Sequence, residues 1–489
     1  MKSRLDWLAA LAVAGIWIWY VVQRLFAIPM TIDEVATCIN HVPRLAVEII
    51  TYSKDPVPNN HVLNTLLIKI FAGMFDMNTF TARLPALLGG IAYLFASWKL
   101  ARLFSGDSLV RLFTIVLLLG NPFVTEFFSL ARGYGLSVGL LLLAVYFAWQ
   151  YQLDGAEKNA KRGMWAAGLS VIASFTALNF FPVYFVVLLW LVKEKTADWR
   201  AFLPKVRPLS ILFAVFILLS YMPISRMQSN DEFRFWGNSS FWRETLIPFT
   251  SASTRKAIYL GENGVQALAG ILAVVSLLGI LIGGFLFFRR KMRIGQDTFV
   301  FGSLLLGGTL LLNVLQHYLL NVPFLNARTA LLFHPLFALM LAGAAAQIAR
   351  HWGRRVVYYV APLMFFTVFN FARAANLNES FEWYFDKHTY KVLNYLKDIH
   401  EKEGLKEPII LDCNSSLQNS LEFHTHTAAN NYGQWVRMVP WHGGQDPAMN
   451  TEFYFTSEGR EIDFLRERGY EEVLPSGTGG MVLMRKKRQ

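Results

Sequence analysis

The sequence predicts an all-α polytopic membrane protein, with about eleven transmembrane helices and a small C-terminal α/β domain outside the bilayer. Three observations predict it. Hydrophobic residues make up 54% of the 489 residues and charged residues only 16%, against about 25% charged in an ordinary soluble domain. Apolar runs long enough to cross about 30 Å of hydrocarbon recur along the chain. Short Lys/Arg clusters separate those runs, which is how a membrane protein fixes its orientation. The net charge of +12 therefore reads as topology, and no nucleic-acid partner is expected. Cys38 and Cys413, the two cysteines, provide neither a disulfide framework nor a metal motif.

The first apolar run, 7–27, is too long for a removable signal peptide and lacks an A-x-A site, so it reads as a retained helix. Further spans are expected near 84–104, 109–128, 133–152, 164–178, 180–193, 208–226, 265–288, 297–319, 329–349 and 356–373. The short pair 164–178 and 180–193 reads either as two spans or as one long helix followed by a re-entrant turn at Asn179–Pro182. His61–Phe75, with Lys69 inside it, is too short to span and reads as an interfacial amphipathic helix.

Charge placement supports that choice. With 61–75 excluded and the N-terminus inside, the clusters Lys99–Arg111, Lys158–Arg162, Lys193–Arg207, Arg289–Arg293 and Arg350–Arg355 all fall on the inner side. Counting it as a span would put them all outside, against the positive-inside rule. The expected organisation is a transmembrane domain over 1–373, with outer loops 28–83 and 226–264, then a soluble periplasmic α/β domain over 374–489. In the tail, Thr389–Glu403 and Glu461–Arg468 read as helices. Pro408–Asp412, Glu452–Thr456 and Glu472–Leu474 read as strands. The alternating His424 and His426 read as a strand edge and are weak evidence for metal. The pairs Gly443–Gly444 and Gly479–Gly480 read as turns.

The spans are nearly free of charge. Glu126, Arg132, Arg328 and Arg373 fall at their outer ends, so charge gathers at one interface rather than along a path through the membrane. That favours a reaction at the outer surface over transport. Asp33 and Glu34 follow the first span directly. One reading is a helix start, with Thr31 or Asp33 capping and Glu34 at the positive helix end. The other is a general base taking a proton from an acceptor hydroxyl or amine. Arg83, Arg132 and Arg328 would converge on the same face, where guanidiniums suit a phosphate ester. The alternative for each arginine is a lipid head group. In the 226–264 loop, Trp236, Phe241 and Trp242 read as an aromatic belt or as a sugar-stacking face.

These residues come in a definite order: first span, Asp33-Glu34, the His61 segment, R-L-P at Arg83, A-R-x-Y at Arg132–Tyr134, and N-A-R at Arg328. Over roughly residues 1–350 this resembles the GT-C glycosyltransferases, in particular the branch of protein O-mannosyltransferases, the lipid A aminoarabinose transferase and RgtA/B/C/D-like transferases. The resemblance implies a polyprenyl-phosphate-linked sugar as donor and a glycan, lipid or protein acceptor. It implies transfer by single displacement with inversion at the outer face of a bacterial inner membrane, with the N-terminus cytoplasmic. It implies Asp33 as base, with Glu34 supporting it or binding the acceptor. Arg83, Arg132 and Arg328 would hold the donor phosphate, with Tyr134 near the donor. His61 and Glu126 are candidate substrate contacts. Asn59-Asn60-His61-Val62 departs from the family's His-Pro-Pro or Lys-Pro-Pro. No cofactor and no metal are expected: the donor is a lipid, and neither a nucleotide-binding glycine motif nor a D-x-D pair is present. The competing readings are a transporter or lipid flippase with an outer partner-binding domain, and a GT-C ligase that transfers a whole glycan from a pyrophosphate lipid.

Overall fold

The computed structural model describes residues 2–233, 237–255, 259–290, 292–427, 432–440, 451–456, 459–475 and 481–487. Trp236, Lys291 and both glycine pairs at 443–444 and 479–480 lie outside the described residues.

Among the described residues, seven helices are long and apolar enough to cross a membrane: Leu5–Ala27, Thr79–Phe104, Gly133–Asp154, Trp199–Ser229, Gly261–Phe288, Thr298–Leu320 and Val357–Ala374. The chain is an integral membrane protein. The count of eleven spans is not confirmed, because the other four expected runs form shorter or less apolar helices. The 109–128 run is broken: Ser108–Leu119 stops at Gly120, Asn121 caps the next turn through the Phe123 and Val124 amides, and Pro122 opens it. The 164–193 region holds two helices, Glu157–Ala173 and Phe181–Glu194, parted by extended Ser174 and the single turn Phe175–Asn179. Phe333–Trp352 is the fourth. Val62–Phe75 has 14 residues, too few to span at 1.5 Å per residue.

The chain divides into two compact units. The first comprises 1–22, 45–66 and 85–375. Within it the helices 79–104 and 133–154 approach backbone to backbone. A Cβ on Gly89 would lie 2.5 Å from the Leu136 Cα, and one on Gly139 would lie 2.1 Å from the Gly89 carbonyl oxygen. Such small-residue contacts replace the hydrophobic effect as the basis of helix association in lipid. They fix where the helix that begins beside Arg132 starts.

The second unit comprises 23–44, 67–84 and 376–489. Its sheet contains β1 (Ile409–Cys413), β2 (Val436–Met438), β3 (Phe453–Thr456), β4 (Tyr470–Pro475) and β5 (Val482–Lys486) in the order β2-β1-β3-β5-β4. β1 runs parallel to β2 and β3, whereas β5 is antiparallel to β3 and β4. Leu411, Phe453 and Leu483 from the strands pack with Leu393 and Leu396 of helix Thr389–Glu403 and with Leu417 and Leu421 of helix Ser415–His426. The histidine pair therefore lies on a helix, not on a strand edge. Asn414 caps that helix through the Ser416 amide, and the local 3.6-residue period overrides the two-residue spacing. His424 is buried and His426 is exposed. Cys38 and Cys413 are both buried and unbonded.

Candidate active site

In the second unit the acidic pair sits at the start of the short helix Ile32–Ala36. Thr31 is its N-cap in a complete capping box. The Glu34 amide donates to Thr31 Oγ1 at 3.4 Å, and the Thr31 amide donates to Glu34 Oε2 at 2.8 Å. The capping reading of this motif is thus present, with Thr31 as the cap and Glu34 as its partner. Glu34 is fully buried and also holds the Arg83 guanidinium in a two-pronged pair, Nε to Oε1 and Nη2 to Oε2, both at 2.8 Å. Arg83 spends its remaining N–H groups on main-chain carbonyls: Nη1 donates to Leu25 and Ile28 at 2.8 Å, and Nη2 donates to Pro29 at 3.0 Å. All five guanidinium donors are engaged, so a direct phosphate contact would require one of these bonds to break. Asp33, half-buried, is the neighbour that this scaffold presents, and Thr37 Oγ1 donates to its carbonyl at 3.0 Å.

Two residues of the C-terminal segment also touch this turn, and sequence reasoning missed one of them and misplaced the other. The Ile32 amide donates to Asp386 Oδ2 at 3.0 Å, and the Met30 amide donates to His424 Nε2 at 3.3 Å. Burial, reinforced by the charges of Glu34 and Asp33, holds the Asp386 carboxyl well above the usual carboxylate range. Burial, and then the positive charge of Arg83, pushes the His424 imidazole down to about 3. No local signal marks Asp386, because its partner is 354 positions away.

In the first unit, Arg132 immediately precedes the helix Gly133–Asp154 and is buried. Its Nη1 donates to the Asn59 carbonyl at 3.2 Å and to the Asn59 side-chain oxygen. Its guanidinium carbon lies 5.9 Å from the Tyr134 ring centroid, and the buried His61 ring meets Tyr134 edge-on at 4.6 Å. Gly133 allows this approach, since a Cβ there would lie 2.6 Å from His61 Cβ and 2.0 Å from the Ala173 carbonyl oxygen. Asn60 braces the turn. Its carbonyl accepts from the Tyr52 hydroxyl, its Nδ2 donates to the Ile49 carbonyl at 2.9 Å, and its Oδ1 accepts from Thr65 at 3.1 Å. The Asn59-Asn60 pair thus holds the turn that leads into His61, and its adjacency to His61 was the available signal.

The structure joins Arg132, Tyr134 and His61. Glu126 is buried and pairs with Arg255 at 3.7 Å. Arg328, half-buried, lies on the turn Ala327–Ala330, which Asn326 and Thr329 cap reciprocally. Ala327 there has φ 37°, a conformation an L side chain rarely adopts. Glu244 fixes the loop beside it, accepting from Asn326 Nδ2 at 3.3 Å and from Ser239 at 2.8 Å, which holds its carboxyl below the usual range. Phe241 packs on Phe324 and Phe333, and Trp242 is exposed.

No protein-family model and no curated protein matches the sequence. Solved structures do match. ArnT from Cupriavidus metallidurans in the apo state aligns over 100% of both chains at a TM-score of 0.53 and 14% identity. The same protein bound to undecaprenyl phosphate aligns over 98% of this chain and 99% of its own, at 0.51 and 13% identity. The chain shares the fold of these two structures, the likeness its ordered motifs led one to expect.

Proposed function

We propose that the protein is a glycosyltransferase that moves a sugar from a polyprenyl-phosphate donor to an acceptor at the outer face of a bacterial inner membrane. In this reading the N-terminus is cytoplasmic and residues 374–489 are periplasmic. The observation that supports it most is the Asp33 turn, a half-buried carboxylate built on a buried ion pair, in a fold shared with a protein that has been crystallised with undecaprenyl phosphate.

Asp33 takes the proton from the acceptor's hydroxyl or amine as that atom attacks the anomeric carbon. The bond from that carbon to the phosphate oxygen breaks, its electron pair leaves with the lipid phosphate, and the anomeric centre inverts. A glycosyl phosphate already has a fair leaving group, so proximity, one base and cationic stabilisation suffice. Arg132 and Arg328 supply the positive charge for the phosphate. Tyr134 and His61 form the wall beside Arg132. Arg83 acts through Glu34, fixing the turn that presents Asp33. Glu126 keeps Arg255 in place.

The test is a mass-spectrometric comparison of envelope glycans from cells lacking the protein and complemented with the native or the Asp33→Asn form. A sugar restored by the native chain and not by Asp33→Asn is expected, with Asp33→Asn inserted in the membrane at native levels. Near-normal transfer by purified Asp33→Asn protein would refute the role of this residue.

A further inference from the structure

We infer that Asp386 and His424 are positioning residues of the C-terminal segment that hold the main chain of the Asp33 turn in register, so that transfer requires this segment to be docked on the turn. The inference rests on the proposal that Asp33 is the base.

Four observations within the second unit carry it. First, the two bonds land on alternate amides of the turn, Met30 on His424 Nε2 and Ile32 on Asp386 Oδ2. The Met30 amide precedes the helix and the Ile32 amide opens it, so neither has an intrahelical partner and an outside acceptor must satisfy each. Second, both acceptors are buried, Asp386 at 1% and His424 at 0% exposure, where a bond to the backbone is not exchanged for one to water. Third, the helix Ile32–Ala36 packs on the helix Ser415–His426 that bears His424. Fourth, Arg24 at the end of the first helix donates through Nη1 to the Asn376 carbonyl at 2.5 Å and the Glu379 carbonyl at 3.2 Å, so the segment leading to Asp386 is anchored as well.

Neither acceptor needs to change protonation to do this. His424 accepts at Nε2 and is therefore neutral, with its proton on Nδ1, in keeping with its lowered basicity. Asp386 is held towards its neutral acid form, still able to accept from Ile32. A neutral oxygen acceptor of the same shape should therefore replace either one. This separates a positioning role from an acid–base role. A general acid or base at Asp386 would be lost in Asp386→Asn, whereas an acceptor would be kept.

The experiment uses the full-length protein in detergent. Amide hydrogen exchange of the peptide covering 29–37 is measured together with steady-state transfer, for Asp386→Asn, Asp386→Ala, His424→Gln, His424→Leu and Asp33→Asn. In Asp386→Ala and His424→Leu the exchange at Ile32 and Met30, respectively, should speed up. Their kcat should fall by about 10- to 100-fold with the donor KM held within about threefold, as expected for a misplaced reacting group. Asp386→Asn and His424→Gln should retain slow exchange and kcat within about threefold of native, within the context-dependence of single hydrogen bonds. Should the Ala or Leu forms not fold, the Asn and Gln forms decide. Slow exchange with native kcat supports positioning, and slow exchange with a kcat loss beyond tenfold overturns it in favour of a role in the chemistry. Unchanged exchange and kcat in folded Asp386→Ala and His424→Leu also overturn it. An active Asp33→Asn protein would instead remove the base assignment, and the exchange readout would still report separately on the docking.

Discussion

Replacing Glu34 with Gln removes the carboxylate that pairs with the buried Arg83 guanidinium. Both side chains are at 0% exposure, so neither charge regains water. The Gln amide can accept at one prong only, and its NH₂ group then faces a guanidinium N–H. The uncompensated charge costs about 3–5 kcal/mol, the usual penalty for removing one partner of a buried pair. Weakening of the Thr31 capping box adds about 0.5–2 kcal/mol. At about 2–4 °C per kcal/mol the melting midpoint should fall by about 7–28 °C, read by near-ultraviolet circular dichroism in detergent. The double variant Glu34→Leu, Arg83→Met replaces the pair with apolar groups, and its loss should be well below the sum of the two single losses. Additive losses, or a Glu34→Gln midpoint within about 2 °C of native, would refute the view that this pair organises the turn.

Four further outcomes are expected. Arg132→Gln should lower kcat/KM for transfer by about 10²–10³, with Arg132→Lys restoring only part, because an ammonium lacks the planar fork; an Arg132→Lys enzyme equal to native would contradict this. The acid limb of stability should depend on His424. Its folded-state pKa, about 3, lies below the unfolded value of 6.5, so its contribution is present above pH 6.5 and is lost as pH falls towards 3. Asp386 behaves oppositely. Its raised folded-state value means that stability present below the ordinary carboxylate pKa is lost as pH rises, and Asp386→Asn should flatten that loss in melts across pH. Gly89→Ala should destabilise by about 1–3 kcal/mol through overpacking against Leu136, whereas Gly284→Ala, which meets nothing within 4 Å, should be neutral or slightly stabilising in the same melts.

Much of the fold was legible because its signals are local. The tail helix at 389–403 is where the amphipathic period places it. The 61–75 segment is too short to span and is a short helix. T-x-x-E at Thr31–Glu34 has the form of a capping box and is one. The break in the 109–128 run also had a local sign in Asn121-Pro122, but hydropathy averaged over the run concealed it. The histidine spacing misled because two residues are too few to establish a period.

The candidate site was legible only in part. The sequence by itself determined the membrane class, the places of the seven long apolar helices and the presence of an acidic pair followed by three ordered arginines, because composition, periodicity and capping depend on neighbours in the chain. Only the tertiary structure decided that Glu34 spends its charge on Arg83, that Glu126 spends its own on Arg255, and that Arg132 stands with Asn59, Tyr134 and His61. It also brought Asp386 and His424, from more than 350 positions away, onto the amides beside Asp33. A buried charge or amide must find a partner, but any carboxylate or carbonyl of suitable reach can be that partner, and packing rather than sequence order selects it.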